Sequence, residues 1–284
     1  MNTIHHVAEL RSQIKKWRMD GESICLVPTM GNLHEGHLAL VDRAKQLSDH
    51  VIASIFVNPM QFIQGEDFET YPRTMEQDSL ALFERGVNTL FAPEVGEVYP
   101  AGLENHTEVS VPALDGFLCG ASRPGHFNGV ATVVSKLFNL VQPDTAIFGQ
   151  KDYQQLLVIK RMVHDLCIPI DIQSLPTVRE EDGLALSSRN GYLSETDRTK
   201  APVLYQQLIE ISEQIKNGNN NFFDLEKVGN EKLKQHGFEP EYLSVYRQDD
   251  LTIADQNLDQ NLVILVAARL GTTRLIDNIL VSRS

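Results

Sequence analysis

The chain has 284 residues, 42% hydrophobic and 22% charged, with 18 Gly and 12 Pro; this excludes disordered, collagen-like and disulfide-scaffold proteins. At about 150 residues per domain, the length predicts one large domain and a smaller one. Twenty-five basic against 38 acidic residues leave a net charge of −13, a field that repels nucleic-acid backbones and anionic membranes, so an anionic ligand needs a local site.

Cys25, Cys119 and Cys167 are odd in number and far apart, and read as reduced, buried thiols. Met1 to Leu10 carries two His and a Glu before any apolar stretch, unlike a signal peptide. No run approaches the ~18 apolar residues of a membrane span. A cytoplasmic address is the expectation.

Ile24-Cys25-Leu26-Val27 is wholly apolar, the pattern of a strand covered on both faces in a parallel sheet. After Pro28 and a Gly-containing turn, Leu38, Leu40, Val41, Ala44 and Leu47 recur at helical spacing, and Val51 to Val57 is a second strand. The rhythm continues with a helix near Met75 to Arg85, a strand Thr89 to Ala92, a helix near Val130 to Val141, a strand Thr145 to Phe148, a helix near Gln154 to Asp165 and a strand near Ile170 to Gln173. Such alternation predicts an α/β, Rossmann-like, doubly wound parallel sheet over residues 1–176.

From Thr177 the texture changes. Ser194-Glu195-Thr196-Asp197 resembles a capping box, Asn217 to Asn221 is a polar loop between helices, and strands group at Tyr242 to Tyr246, Leu262 to Ala267 and Leu275 to Val281. Helices followed by grouped strands predict a smaller α+β domain over residues 177–284. There is no repeat at a period of 20 to 50 residues.

Chemistry concentrates in Pro28-Thr29-Met30-Gly31-Asn32-Leu33-His34-Glu35-Gly36-His37, between the first apolar strand and its helix. That junction is the carboxyl end of a strand, where doubly wound sheets bind ligands. Two His three residues apart at a helix N-terminus present their rings to one side, beside unpaired N–H groups and the positive end of the helix dipole. A bare H-x-x-H also fits exposed or metal-binding histidines; Gly31, Gly36 and the placement favour nucleotide phosphates.

His34-Glu35-Gly36-His37 is similar to the H-I-G-H signature of nucleotidyltransferases, and the longer string resembles the pantothenate synthetase (pantoate:β-alanine ligase) family. The resemblance continues through Asn58-Pro59-Met60-Gln61-Phe62, Tyr71-Pro72-Arg73-Thr74, Ser122-Arg123-Pro124-Gly125-His126-Phe127, Phe148-Gly149-Gln150-Lys151-Asp152-Tyr153-Gln154-Gln155 and Leu184-Ala185-Leu186-Ser187-Ser188-Arg189-Asn190, with a weaker echo in Leu262 to Asn278. Ile63-Gln64 departs locally from the family, which has Gly or a small polar residue there.

The resemblance implies ATP-dependent joining of pantoate and β-alanine through a pantoyl adenylate, with release of pyrophosphate and AMP. It assigns Met30 to His37, Gly149 to Asp152, Val178 and Leu186 to Arg189 to ATP. His37 and His34, with Lys151 and Arg189, are the implied catalytic residues, His37 donating the proton. Gln61 and Gln155 are the implied pantoate ligands, Gln61 also meeting β-alanine; taken alone each reads better as a solvent-facing amide. Lys151 and Asp152 alone would be a solvated surface pair, and Ser187, Ser188 and Arg189 alone a capping pair with a surface Arg. Mg²⁺ is expected to travel on the ATP phosphates, with no protein metal ligands assigned, and the resemblance implies a homodimer. Nucleic acid and membrane are not expected partners.

Overall fold

A computed structural model describes residues 1–283. The chain forms two compact units, one of Met1–Gly149 with Val158–Pro176, the other of Gln150–Leu157 with the chain from Thr177 onward. Residues 150–157 thus group with the second unit, although the sequence alone reads them with the first. The reason lies in hydrogen bonds: Asn278 donates to the carbonyls of Gln150 and Lys151, and the Tyr153 hydroxyl donates to the carbonyl of Gln248.

In the first unit six strands, β1 (Asn2–Ile4), β2 (Ile24–Thr29), β3 (His50–Ile55), β4 (Thr89–Phe91), β5 (Thr145–Gly149) and β6 (Asp171–Leu175), pair in parallel in the order β1-β4-β3-β2-β5-β6. Between them run α1 (Val7–Met19), α2 (Glu35–Leu47), α3 (Met75–Glu84), the short turns α4 (Val95–Val98) and α5 (Cys119–Ser122), α6 (His126–Val141) and, from residue 158 on, α7 (Tyr153–Asp165), whose first turn groups with the second unit. Ile24, Cys25, Leu26 and Val27 are all 0% exposed, as an unbroken apolar run requires. Cys25 and Val27 join Leu38, Val41 and Ala44 of α2 in one cluster. Ile24 and Leu26, of the other parity, are buried outside that cluster, toward the face where α6 packs. Helices therefore cover both faces, and each buried Leu, Ile or Val contributes about 1.5–3 kcal/mol.

The chain leaves β2 for β3 on one side and places β5 on the other. The carboxyl ends of β2 and β5 thus flank the topological switch point, where open α/β sheets bind ligands.

The second unit holds α8 (Glu195–Lys200), α9 (Val203–Lys216), α10 (Phe222–Gln235) and the antiparallel sheet β7 (Phe238–Arg247), β8 (Asn261–Leu270), β9 (Thr273–Ser282), in the order β7-β8-β9. Ser194 caps α8, its hydroxyl accepting from the Asp197 N–H at 3.1 Å. Leu204, Leu208 and Ile211 of α9 and Leu225 and Leu233 of α10 pack with Leu243, Ile264 and Val266 of the sheet.

Three details differ from the sequence reading. The unforeseen pair β1 and α1 opens the chain, α1 burying Leu10, Ile14 and Trp17 at helical spacing. Helix α6 starts at His126 rather than near Val130, because Gly125 turns the chain with φ 82°. Cys25 is buried, and that burial pushes its thiol up to about 12, but Cys119 is half-buried and Cys167 exposed. Cys119 opens the short turn α5, and Cys167 lies in a left-handed turn after α7, with φ 52°.

Gly129 of α6 lies directly on the turn Pro59–Gln61: a Cβ there would stand 2.2 Å from the Met60 carbonyl oxygen. Gly129→Ala is expected to lower stability by about 1–3 kcal/mol, the range for overpacking a filled core. An unchanged urea midpoint would contradict that close approach.

Candidate active site

At the carboxyl end of β2 the chain turns through Gly31, with φ 83°, and Asn32, with φ 50°. The Thr29 hydroxyl donates to the Ser54 carbonyl at 2.8 Å and accepts from the Gly31 N–H at 3.2 Å. The next two N–H groups, of Asn32 and Leu33, each donate at 2.8 Å to separate oxygens of the Asp78 carboxylate. Asp78, on α3, is 3% exposed and also accepts from the Thr74 hydroxyl at 3.1 Å. A Cβ on Gly31 would meet both Asp78 Oδ2 and Ile55 at 3.1 Å, so left-handed geometry and space both call for glycine.

Helix α2 then starts with His34 as its cap. The Gly36 N–H donates to His34 Nδ1 at 3.1 Å, and the His34 N–H donates to His37 Nδ1 at 3.3 Å. An Nδ1 that accepts carries no proton, so both rings are neutral and bear their proton on Nε2. The ring centroids lie 4.0 Å apart. Two imidazole N–H donors thus join the helix N-terminus, a combination suited to phosphate oxygens. The remaining side chains of the motif look elsewhere: Glu35 accepts from Arg85 at 2.7 Å, and Leu33 packs on the core.

Gln61 is held from several directions. Its Oε1 accepts from Asn58 Nδ2 at 3.2 Å, and its Nε2 donates to Met30 Sδ at 2.9 Å, tying it to the β2 turn. Asn58, 1% exposed, also donates to the Gly129 carbonyl and accepts from the Tyr99 hydroxyl. The Gln61 carbonyl lies 2.6 Å from His126 Nδ1, while His126 Nε2 lies 2.8 Å from Arg123 Nη1. A guanidinium only donates, so His126 accepts at Nε2 and donates from Nδ1 to Gln61. Arg123 in turn grips Glu66 through Nε at 2.5 Å and Nη2 at 2.8 Å. After the departure at Ile63-Gln64, the chain turns so that the Ile63 N–H reaches Glu66 at 3.2 Å.

In the second unit, Gln150–Asp152 form a single turn before α7. Lys151 Nζ lies 4.0 Å from an Asp152 oxygen, Gln154 is buried and Gln155 half-buried. The Leu186 N–H donates to the Val178 carbonyl at 3.0 Å, and the Glu180 N–H to the Leu184 carbonyl at 2.8 Å, closing a hairpin. Ser187 caps the turn Ser188–Tyr192, its hydroxyl accepting from the Arg189 N–H at 3.2 Å. The capping reading of that serine is therefore met. Arg179, in the hairpin, forks onto Asp277 of β9 at 2.6 and 2.9 Å and lies 3.4 Å from the Tyr205 ring centroid. Burial pushes the Asp277 carboxyl up against the opposing pull of Arg179.

Met30, the turn to His37 and Gln61 are thus brought together in the first unit, where Gly149 also ends β5. Lys151, Asp152 and Gln155, and the Val178 to Arg189 hairpin with its loop, belong to the second. Sequence reasoning missed Asp78, Asn58, Glu66, Arg179 and Asp277, and it left Arg123 and His126 without assigned functions.

Burial pushes the Glu66 carboxyl up, but Arg123 and the Ile63 N–H outweigh this and hold it below the ordinary glutamate value. A carboxyl lowered on folding adds stability above its unfolded value and loses it as pH falls through the folded one. Unfolding midpoints of wild type and Glu66→Gln are expected to differ near pH 7 and to converge as the pH falls below the ordinary glutamate range; a constant gap would contradict this.

Similarity to known proteins follows the whole chain. The family model described as Pantoate-beta-alanine ligase matches residues 2–280. A pantothenate synthetase from Hahella chejuensis (strain KCTC 2396) is 55% identical over 279 residues, 98% of this chain and 98% of its own length. The crystal structure of pantothenate synthetase from Thermus thermophilus superposes with a TM-score of 0.92 at 48% identity, over 98% of this chain and 99% of that one. A pantoate-beta-alanine ligase from Francisella tularensis, complexed with beta-gamma ATP and beta-alanine, gives a TM-score of 0.83 at 35% identity, over 99% and 97% of the two chains.

Proposed function

We infer the course of the reaction from one premise: the chain belongs to the pantoate-beta-alanine ligase family and catalyses the ATP-dependent condensation of pantoate with β-alanine. A carboxylate is a poor acyl donor, so the pantoate carboxylate first attacks the α-phosphorus of ATP. The products are pantoyl adenylate and pyrophosphate. The amine of β-alanine then attacks the acyl carbon and AMP departs. With reactive groups supplied by the substrates, the protein contributes positioning and charge stabilisation.

The observation that carries this reading is the paired tautomer of His34 and His37, each with Nδ1 accepting a backbone N–H. Their Nε2–H groups donate to ATP phosphate oxygens as charge grows on them, His37 acting as the proton-donating catalytic residue. Met30 to Leu33, Glu35, Gly36 and Gly149 supply backbone against the nucleotide. Gln61 holds pantoate, its amide both donating to carboxylate and accepting from hydroxyl, and later meets β-alanine; Gln155 is the second pantoate ligand.

In the second unit, Lys151 places a compact charge on the phosphates, and Gln150, Asp152, Val178 and Leu186 complete the ATP contacts. Ser187, Ser188 and Arg189 donate to the pyrophosphate as it leaves. Mg²⁺ would arrive with the ATP phosphates, the habit of an ion that dehydrates reluctantly, and would supply charge neutralisation there, with Asp152 bearing on it only indirectly. Residues 1–149 and 158–176 form the domain that carries the histidine turn and Gln61, and residues 150–157 with the chain from 177 onward the domain that carries Lys151, Gln155 and the pyrophosphate loop. The resemblance further supports a homodimer.

Single-turnover kinetics of the two half-reactions test these assignments. His34→Ala and His37→Ala are expected to fold and to lose about 10²–10³ in adenylate formation, the cost of about 2.7–4 kcal/mol for one such donor. Gln61→Ala is expected to raise the KM for pantoate more than that for ATP. Arg189→Ala is expected to slow adenylate formation by about one to two powers of ten, and to leave attack of β-alanine on supplied pantoyl adenylate nearly unchanged. Wild-type adenylate formation in the histidine variants would remove the reading; equal slowing of both halves in Arg189→Ala would remove the pyrophosphate assignment.

A further inference from the structure

Asn278 of β9 is 5% exposed, and its side-chain amide is committed to the backbone of another segment. Its Nδ2 donates at 2.8 Å to the Gln150 carbonyl and at 2.9 Å to the Lys151 carbonyl. Two carbonyl acceptors can be met only by the two hydrogens of an amide –NH₂, so the orientation of this amide is fixed by chemistry. Neither aspartate nor serine at this position supplies that pair of donors.

The backbone under Asn278 is equally fixed. Its N–H donates to Asp277 Oδ1 at 2.8 Å, and its carbonyl accepts from Arg179 Nη2 at 3.3 Å. The same Arg179 forks onto Asp277, which is 3% exposed, and donates to the Gly183 carbonyl at 3.1 Å inside the hairpin that runs into Ser187–Arg189. Asp277 faces Val266 and Asn278 faces Leu265 in the β8–β9 ladder, whose register runs unbroken from Asn261 to Leu270. One adjacent pair on a rigid strand therefore reaches, through Asn278, the turn that bears Lys151 and, through Asp277 and Arg179, the hairpin that leads to Arg189.

We propose that Asn278 is a positioning residue for adenylate formation, clamping the Gln150–Lys151 backbone so that the Lys151 ammonium is held at the phosphates. The inference rests on the reading of Lys151 as a phosphate ligand. Asn278 touches no substrate; it sets where the lysine stem begins. A four-carbon stem on a loose turn spreads its charge over many placements, and a misplacement of about 1 Å at a reacting group costs up to about 10²-fold. The second half-reaction, which has no triphosphate, makes no such demand.

The test is a kinetic cycle on the full chain with Asn278→Ala, Asn278→Asp, Lys151→Ala and the double variant Asn278→Ala/Lys151→Ala. Adenylate formation from ATP and pantoate is followed by rapid quench, and attack of β-alanine is followed on supplied pantoyl adenylate. Both Asn278 variants are expected to slow adenylate formation by about ten- to a hundredfold and to change the second step by less than about twofold. In the Lys151→Ala background, Asn278→Ala is expected to add almost nothing, the non-additivity of residues acting through one group.

A purely structural residue would slow both steps, or would multiply with Lys151→Ala, and either result overturns the proposal. Asn278→Asp keeps the size and shape of the side chain should Asn278→Ala not fold; if neither folds, Asn278 serves the fold and the proposal fails. Wild-type adenylate formation in Lys151→Ala would instead overturn the reading of Lys151. Slow Lys151→Ala beside fast Asn278→Ala would leave that reading standing and remove Asn278 alone.

Discussion

The two N–H groups of Asn32 and Leu33 end on the two oxygens of one buried carboxylate, Asp78, both at 2.8 Å. Leaving a buried donor unmet costs about 1–3 kcal/mol, so Asp78, together with the Thr29 hydroxyl that accepts from the Gly31 N–H, holds the path of this turn. With it, the chain leaves β2, reverses over Gly31 where a Cβ would be crowded and the backbone is left-handed, and delivers His34 to the cap position of α2. The cap fixes the tautomers, since the N–H groups of Gly36 and His34 occupy both Nδ1 atoms. Asp78 shapes the turn, and the cap bonds set which nitrogen of each histidine accepts.

The second unit uses the same device. Asp277, 3% exposed, holds Arg179 and the Asn278 N–H, and these hold the hairpin and the Lys151 turn. In a chain with net charge −13, general electrostatics repels a triphosphate. On the proposed reading the first unit meets that charge locally, with the imidazole N–H donors of His34 and His37, whose own cap has already paired the N–H groups of His34, Gly36 and His37. The acids are turned inward on N–H groups and guanidinium, so their charges are met before a ligand arrives.

How much of this could be read from the sequence depended on the range of each interaction. The run Ile24 to Val27 and the helical spacing after it disclose β2, α2 and the junction between them, because strand and helix periodicities are local. The placement of His34 and His37 at the start of α2 is legible for the same reason, and so is the cap at Ser194. Asp78 is not: it meets residues 45 and 46 positions away, and nothing around it marks it as different from a surface helix acid. Asp277 meets Arg179 across 98 positions and Asn278 meets Lys151 across 127, so their effect exists only after folding. The β-strands of the second unit were legible only at their apolar centres. Their ends alternate with polar residues such as Glu239, Glu241 and Arg274, and Glu241 pairs across the sheet surface with Arg269 and Arg274. The opening pair β1 and α1 did carry a signal, in the spacing of Leu10, Ile14 and Trp17, but the three-residue β1 buries only Ile4 and gives no pattern of its own.

The central claim is that the protein first joins pantoate to AMP, with the pyrophosphate freed before β-alanine is needed. Exchange of labelled pyrophosphate into ATP, followed with pantoate present and β-alanine absent, tests it directly. The account predicts exchange that depends strictly on pantoate and falls by at least about a hundredfold in His37→Ala. Exchange without pantoate, or none until β-alanine is added, would contradict it.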